Sequence, residues 1–460
     1  MSTDKQVVLK VNNLKQFFIT GKGKYRIFNK AVNGISFEIN RGEVFSLVGE
    51  SGCGKTTTGR TIMRLYKPTD GEVFLLGKRI VGGDLSLREE IYAINRQIKN
   101  LSTNSPTYKN DLGELTNKKR LIQYDIKQRK ADQKTRYTPD RHLISEVKKE
   151  SIAQTDTLKK ELKKVNEEFL AFKKEAFVEF DNLPLGTSSE EKEALHHKLL
   201  AKYREVRSIK NKRVEQINYE ISHCYTAHKF YARPLLNKIQ MIFQDPIDSL
   251  DPRMTVKDIV AEGLYINGIH NRTVVKERVY NALKLVGLMP EHASHFPHEF
   301  SGGQRQRVGI ARAIVCEPEI IVADEPISAL DVSIQAQVIN LLNDLKTKLG
   351  LTILFIAHDL SVVKYFSDKI AVMYYGRIVE MGEKTKVFNN PLHPYTLSLI
   401  SSIPLPDPTY EKLRTGVKRY NPTAHNYQKD EVVSLREVEP NHFVLCNEAE
   451  FAKYLKIINK

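Results

Sequence analysis

The sequence predicts an α/β fold: a mainly parallel sheet carrying a phosphate-binding loop, interrupted by a helical hairpin and followed by a small C-terminal extension. Three observations predict it. Gly49-Glu50-Ser51-Gly52-Cys53-Gly54-Lys55-Thr56-Thr57 fits G-x4-G-K-[ST] and lies between an apolar run and a helical stretch. Residues 239–243, 320–323 and 352–357 are short, β-branched apolar runs of the kind a parallel sheet buries on both faces. Between the loop and these runs, residues 91–232 hold 29 Lys+Arg against 20 Asp+Glu and adopt a helical period.

In chain order, residues 7–90 alternate short apolar runs with turns. Residues 44–48 read as a buried strand, 56–65 as a helix, and 71–77 as a strand bounded by glycines. Shorter helices are expected around 91–135. Leu158, Leu162, Val165, Phe169, Phe172 and Ala176 then recur at steps of four and three, the seam of a coiled-coil-like helix. Val206, Ile209, Val214, Ile217 and Ile221 give a second, less regular stripe. The breaker Asn182-Leu183-Pro184-Leu185-Gly186-Thr187 separates the two, and Ser188 with Glu191 forms a capping box for the second helix. Globular patterning resumes at Lys238, with a long helix over 333–348. After Pro391 the chain becomes Pro-rich and irregular, ending in a helix over 448–456. The division is therefore 1–90 and 233–390 for the two parts of the phosphate-loop domain, 91–232 for the inserted hairpin and 391–460 for the extension.

At 460 residues the chain is long enough for two or three units, and 41% hydrophobic content supplies a packed core. The formal charge of +16 is compatible with nucleic acid, an anionic membrane surface or solubility. Cys53, Cys224, Cys316 and Cys446 lie far apart without metal-ligand spacing, which suits a reducing compartment. No apolar run reaches the ~18 residues that span a bilayer. The N-terminus lacks the apolar stretch of a secretion signal. A cytosolic protein with at most peripheral membrane contact is expected.

The chemistry concentrates in four places. Glycines in the 49–57 loop let backbone N–H groups turn toward phosphates, Lys55 reaches the β/γ oxygens, and the Thr56 hydroxyl ligates Mg²⁺. Ile320-Ile321-Val322-Ala323-Asp324-Glu325 is an apolar strand ending in two acids. Asp324 is assigned to the Mg²⁺ shell and Glu325 to polarising the attacking water. Ser301-Gly302-Gly303-Gln304 precedes an Ala/Arg-rich helix and offers a hydroxyl, bare N–H groups and a positive helix end, a second phosphate-binding surface. Two such surfaces far apart in one chain invite a dimer in which each subunit completes the other's site. His358 follows the 352–357 strand, a position where histidine is most often structural. Cys53 sits where adjacent positive charge would lower its pKa, although a small residue tolerated in the loop is the simpler reading.

The order of phosphate loop, Gln244, Ser301-Gly302-Gly303-Gln304, Asp324-Glu325, Ser328-Ala329-Leu330-Asp331 and His358 resembles an ABC-transporter ATPase, over about 10–90 and 238–400. The resemblance implies a P-loop ABC ATPase cassette with a RecA-like core, an antiparallel β subdomain and an α-helical subdomain, hydrolysing ATP with Mg²⁺. It also implies that Gln244 contacts Mg²⁺ and couples the nucleotide to membrane subunits. Asp331 would lie at the dimer interface, and His358 would hold the γ-phosphate and the attacking water. Phe17 is the best match to the aromatic that stacks on adenine, with Phe18 close behind.

A narrower likeness rests on Phe243-Gln244-Asp245-Pro246, Leu250-Asp251-Pro252-Arg253-Met254-Thr255-Val256, Pro297-His298-Glu299-Phe300 and Asn390-Pro391-Leu392-His393-Pro394-Tyr395-Thr396. These are similar to oligopeptide/dipeptide permease ATPases, and the residues after Gln304 resemble the F-type subunit. That resemblance implies a heterodimer with a second ATPase, two integral membrane permease subunits and, indirectly, an extracellular peptide-binding protein. The chain would then sit peripherally on the cytoplasmic side of the membrane. Nickel or another solute is the alternative cargo. Two departures stand out. Cys446 is alone in the tail, so the iron–sulfur cluster of some relatives is not expected here. The 91–232 insertion reads as a solvated hairpin, or as a surface for anionic lipid or a partner protein. Nucleic acid is not expected: the charge is mixed, and the insertion ends before Gln244, unlike the coiled coils of chromosome-acting ABC ATPases.

Overall fold

The structure, a computed structural model, describes residues 6–21, 25, 27–101, 107–134, 141–181, 189–231, 235–403, 420–425, 427 and 431–458. The breaker at 182–187, Ser188 of the expected capping box, and Pro404, Pro406 and Pro408 lie outside them. The elements are β1 (Val7–Thr20), β2 (Ile27–Asn40), β3 (Val44–Val48), α1 (Lys55–Ile62), β4 (Asp70–Leu75), β5 (Lys78–Gly82), α2 (Leu85–Asn100), α3 (Tyr108–Lys134), α4 (Arg141–Asp181) and α5 (Ser189–Tyr231). They continue with β6 (Ile239–Ile242), α6 (Pro246–Ser249), α7 (Val256–Ile266), α8 (Arg272–Leu285), α9 (Gly302–Ile314), β7 (Ile320–Asp324), α10 (Val332–Leu349), β8 (Thr352–Ala357), α11 (Leu360–Phe366) and β9 (Lys369–Tyr374). The chain closes with β10 (Arg377–Glu383), α12 (Lys384–Asn389), α13 (Pro394–Ser401), β11 (Ser434–Glu439), β12 (His442–Cys446) and α14 (Glu448–Ile458).

The chain divides into two compact units, one formed by residues 1–136, 235–260 and 283–460, the other by 137–234 and 261–282. In the first, the described strands make two sheets. The larger has the order β11-β12-β10-β9-β3-β8-β7-β6. Its β9-β3-β8-β7-β6 segment is parallel. All residues of β3, β7 and β8 are buried, so their mostly apolar composition is what a sheet covered on both faces requires. The smaller sheet, β2-β1-β4-β5, is antiparallel, with β1 and β2 paired along nearly their whole length. β12 adds antiparallel to β10, so the C-terminal hairpin extends the main sheet.

The charge shift at residue 91 and the division into units do not coincide, because α2 and α3 belong to the first unit. Arg79 of β5 holds Asp125 (3.2 Å) and Asp132 (2.9 Å) of α3. Arg129 of α3 reaches back to Glu72 at 3.3 Å and to the Gly83 carbonyl at 2.6 Å.

In the second unit, α4 and α5 form an antiparallel hairpin. Gln154 contacts Cys224, Glu161 pairs with Arg213, and the Phe169 ring meets Tyr203 at 5.7 Å. All six residues of the predicted α4 seam are half-buried. In α5 the stripe is broken: Ile217 is fully buried while Ile209 is exposed, and Tyr203 takes up the contact with the seam. The Tyr219 hydroxyl bonds Glu277 of α8, so the same unit includes part of that helix. No described helix is long and apolar enough to cross a membrane.

Candidate functional site

The parallel order β3-β8-β7-β6 brings the ends of four strands together, and the phosphate loop, His358, the Asp324-Glu325 pair and Gln244 lie at those ends. The phosphate loop leaves β3 and enters α1 at Lys55. Gly49 and Gly54 have φ of 150° and 108°, and a Cβ on Gly54 would lie 2.1 Å from the Ala31 carbonyl oxygen. Only glycine lets the loop press this closely on β2. Glu50, Ser51 and Gly52 form its outer turn, with Gly52 also at positive φ. Thr57, on α1, accepts through its carbonyl from the Thr61 hydroxyl.

Lys55 is buried, and its Nζ donates to the carbonyl oxygens of Gly49 (2.8 Å) and Glu50 (3.0 Å). The Thr56 hydroxyl donates to Asp324 Oδ1 at 2.8 Å, joining α1 to the end of β7. Asp324 is fully buried, and its Oδ2 has no hydrogen-bond partner among the described residues. Burial pushes the Asp324 carboxyl up, against the Thr56 hydrogen bond and the nearby Arg60 charge. A buried, unsatisfied carboxylate oxygen beside a hydroxyl fits a hard divalent cation such as Mg²⁺, which takes oxygen ligands and keeps several waters.

Glu325, one residue beyond β7, is a non-glycine at φ 44°, a sparsely populated conformation that clusters at functional sites. It is anchored by its N–H on the Ile356 carbonyl of β8 at 2.9 Å. Its Oε2 lies 3.1 Å from His358 Nδ1 and accepts from Gln244 Nε2 at 3.3 Å. Its Oε1 is 4.0 Å from Lys55 Nζ. Residues from the segments that follow β3, β6 and β8 therefore converge on one carboxylate beyond β7.

Ser301, Gly302, Gly303 and Gln304 stand apart from this cluster in their bonding. Ser301 caps α9, accepting from the Gln304 N–H at 3.3 Å, while Gln304 Oε1 accepts from the Ser301 N–H at 3.0 Å, a reciprocal capping box. A Cβ on Gly303 would meet Ile334 of α10 at 2.6 Å, so packing requires glycine there. On Gly302 the nearest atom is Leu330 Cδ2 at 3.6 Å, an ordinary contact. Asp331 caps α10 with its backbone only, leaving an exposed carboxylate. Phe17 sits opposite Lys30 in the β1–β2 register, with Lys30 Nζ 5.8 Å from its ring centre, whereas Phe18 packs edge-on against Tyr66.

Sequence reasoning passed over Arg60, whose Nε is 3.8 Å from Asp324 Oδ2. The signal was present: Arg60 lies four residues after Thr56 on the same helix face. Burial, not Lys55, dominates the Cys53 thiol and pushes its pKa up, so it is an inert small residue of the loop.

A phosphate loop, a strand-end Asp-Glu pair and a capped helix N-terminus on one parallel sheet define a nucleotide-hydrolysing cassette. The ABC transporter family model matches residues 32–224 and 216–328, and that of the oligopeptide/dipeptide transporter C-terminal region matches 379–429. The chain is 38% identical over 448 residues to the oligopeptide transport ATP-binding protein OppF of Bacillus subtilis, covering 97% of this chain and 98% of that one. It is 36% identical over 457 residues to the dipeptide transport ATP-binding protein DppF of Lactococcus lactis subsp. cremoris, covering 99% and 98%. The oligopeptide transport ATP-binding protein AmiF of Streptococcus pneumoniae is 53% identical over 229 residues, 50% of this chain and 74% of that one. The chain belongs to the ABC transporter family of ATP-binding cassette ATPases.

Proposed function

We propose that this chain is the ATP-hydrolysing, energy-coupling subunit of an importer for oligopeptides or dipeptides. It works on the cytoplasmic side of the membrane, in a heterodimer with a second ABC ATPase on two integral permease subunits, served by an extracellular peptide-binding protein. The observation that carries the reading is the joining of the cassette, in one chain, to an oligopeptide/dipeptide transporter C-terminal region. The full-length alignment with OppF supports it.

The geometry supports the division of labour. Lys55 exchanges its loop carbonyls for the β/γ oxygens of ATP, and the loop N–H groups from Gly52 to Thr57 surround the phosphates. Thr56, Asp324 and Gln244 would hold Mg²⁺, which would supply positive charge to balance the phosphates. Glu325 accepts a proton from the attacking water while His358 and Gln244 fix its carboxylate. Phe17, on the strand pair that the loop presses against, stacks on adenine, since Phe18 is already engaged with Tyr66. No contact among the described residues requires glycine at 302. Close approach of a partner's phosphate to the α9 N-terminus does, and Asp331 lines the same interface.

Affinity purification of the tagged chain from a detergent extract of membranes tests the assembly. Recovery of two permeases and a second ABC ATPase is the expected result. Recovery of nucleic acid or ribosomes without permeases would sink it, and a permease pair serving nickel would redirect the substrate. Separately, Lys55→Ala is expected to weaken ATP binding at least 10-fold, read by fluorescence titration with mant-ATP, because a charge-assisted contact worth about 1.5–3 kcal/mol is lost.

A further inference from the structure

A series of residues linked by hydrogen bonds leads from the C-terminal hairpin to the phosphate loop. His442 of β12 and Glu380 of β10 are both fully buried, with His442 Nε2 2.8 Å from Glu380 Oε1. The same carboxylate accepts from the backbone N–H groups of Leu392 at 3.0 Å and His393 at 2.9 Å. His393 caps α13, its Nδ1 accepting from the Tyr395 N–H at 3.1 Å. That bond needs a neutral ring, and burial beside His425 holds the His393 pKa down at about 3. Tyr395 is 2% exposed, and its hydroxyl accepts from the Glu50 N–H, inside the phosphate loop, at 3.1 Å.

The loop is gripped from a second side as well. The Tyr374 ring packs on Tyr395 with centroids 4.4 Å apart. Tyr374 follows Met373, whose carbonyl oxygen would lie 2.2 Å from a Cβ on Gly49. Tyr420, from the extension, closes the cluster at 5.1 Å from Tyr374 and 5.5 Å from Tyr395. Backbone N–H groups are the anion-binding donors of a phosphate loop. One that is tied to a hydroxyl from outside the loop sets the loop's path.

We propose that Tyr395 is a positioning residue for the phosphate loop: through its hydroxyl, the docked C-terminal extension holds the loop in its nucleotide-receiving shape. The extension thereby sets ATP affinity without touching ATP. This rests on the nucleotide reading of the loop, which Lys55→Ala tests on its own.

Tyr395→Phe in the full-length chain keeps the ring and its packing on Tyr374 and removes only the hydroxyl. The dissociation constant for mant-ATP with Mg²⁺ and the KM for ATP are expected to rise about 3- to 10-fold, the worth of one hydrogen bond, with kcat changing less than KM. His442→Gln, at the far end of the relay, is expected to move affinity in the same direction, and the double variant to add little to Tyr395→Phe. Unchanged mant-ATP affinity in Tyr395→Phe overturns the proposal. So does a lowered melting temperature with unchanged affinity, which would make Tyr395 a packing residue only. A Lys55→Ala chain that still bound mant-ATP normally would overturn the nucleotide reading and this proposal with it.

Discussion

Glu325→Gln is expected to bind ATP with near wild-type affinity while turnover falls by about 10²- to 10⁴-fold, the range associated with a positioned general base. The substitution is nearly isosteric. A glutamine at this position keeps a carbonyl oxygen for Gln244 and His358, which lie 3.3 and 3.1 Å from Glu325 Oε2, so the local frame persists. It cannot take a proton. Neighbouring Asp324 cannot substitute, because it is fully buried and its Oδ1 is held by the Thr56 hydroxyl. The left-handed backbone at Glu325 is set by the anchoring of its N–H on Ile356, and glutamine tolerates it about as well as glutamate does. With binding intact and hydrolysis slow, the ATP-bound closed dimer should accumulate. Phosphate release in single-turnover assays, with mant-ATP binding in parallel, measures both halves. Wild-type turnover in the variant would remove Glu325 from the base role.

His358 and Gln244 matter to this result because both address the same carboxylate oxygen. The sequence order of the motifs placed these three residues in one site, and the structure brings them within hydrogen-bonding distance. Strand positions were equally legible, since residues 44–48, 320–323 and 352–357 are apolar except for Ser46 and Thr352, runs that suit a sheet covered on both faces. What sequence could not supply was partner choice. The charges of α3 look like a solvated face, yet Asp125, Arg129 and Asp132 are paired with Glu72 and Arg79 of the smaller sheet. Ile209 was read into the α5 stripe but is exposed, while Val206 before it and Val214 and Ile217 after it are half-buried or buried. Tyr395 was visible within Leu392-His393-Pro394-Tyr395-Thr396, but its contact with Glu50 spans 345 residues, beyond any local pattern.

The largest stability effect is expected at Glu380. Its carboxylate serves three donors at once: His442 Nε2 and the N–H groups of Leu392 and His393. Glu380→Ala strands a buried imidazole and two backbone donors, and breaking a buried pair in this way costs about 3–5 kcal/mol. Replacing Glu380 and His442 together by apolar residues should cost less than Glu380→Ala alone, since no charge is then left without its partner, although the two amides stay unsatisfied. Urea unfolding of the full-length chain measures both, and a Glu380→Ala loss below about 1 kcal/mol would contradict the role given to the pair. A pH signature separates charge from packing. Burial alone would pull the His442 pKa down, but hydrogen bonds and charge from Glu380, then Glu439, hold it above the ordinary value. A raised folded-state pKa means the contribution is fully present below the unfolded value of about 6.5 and fades as pH rises through the folded one. Wild-type stability should therefore fall as pH rises from the unfolded value through the raised folded one, and His442→Gln, which has nothing to discharge there, should flatten that limb. An equally steep alkaline limb in the variant would assign the loss to another group and leave the Glu380 pair a neutral hydrogen bond.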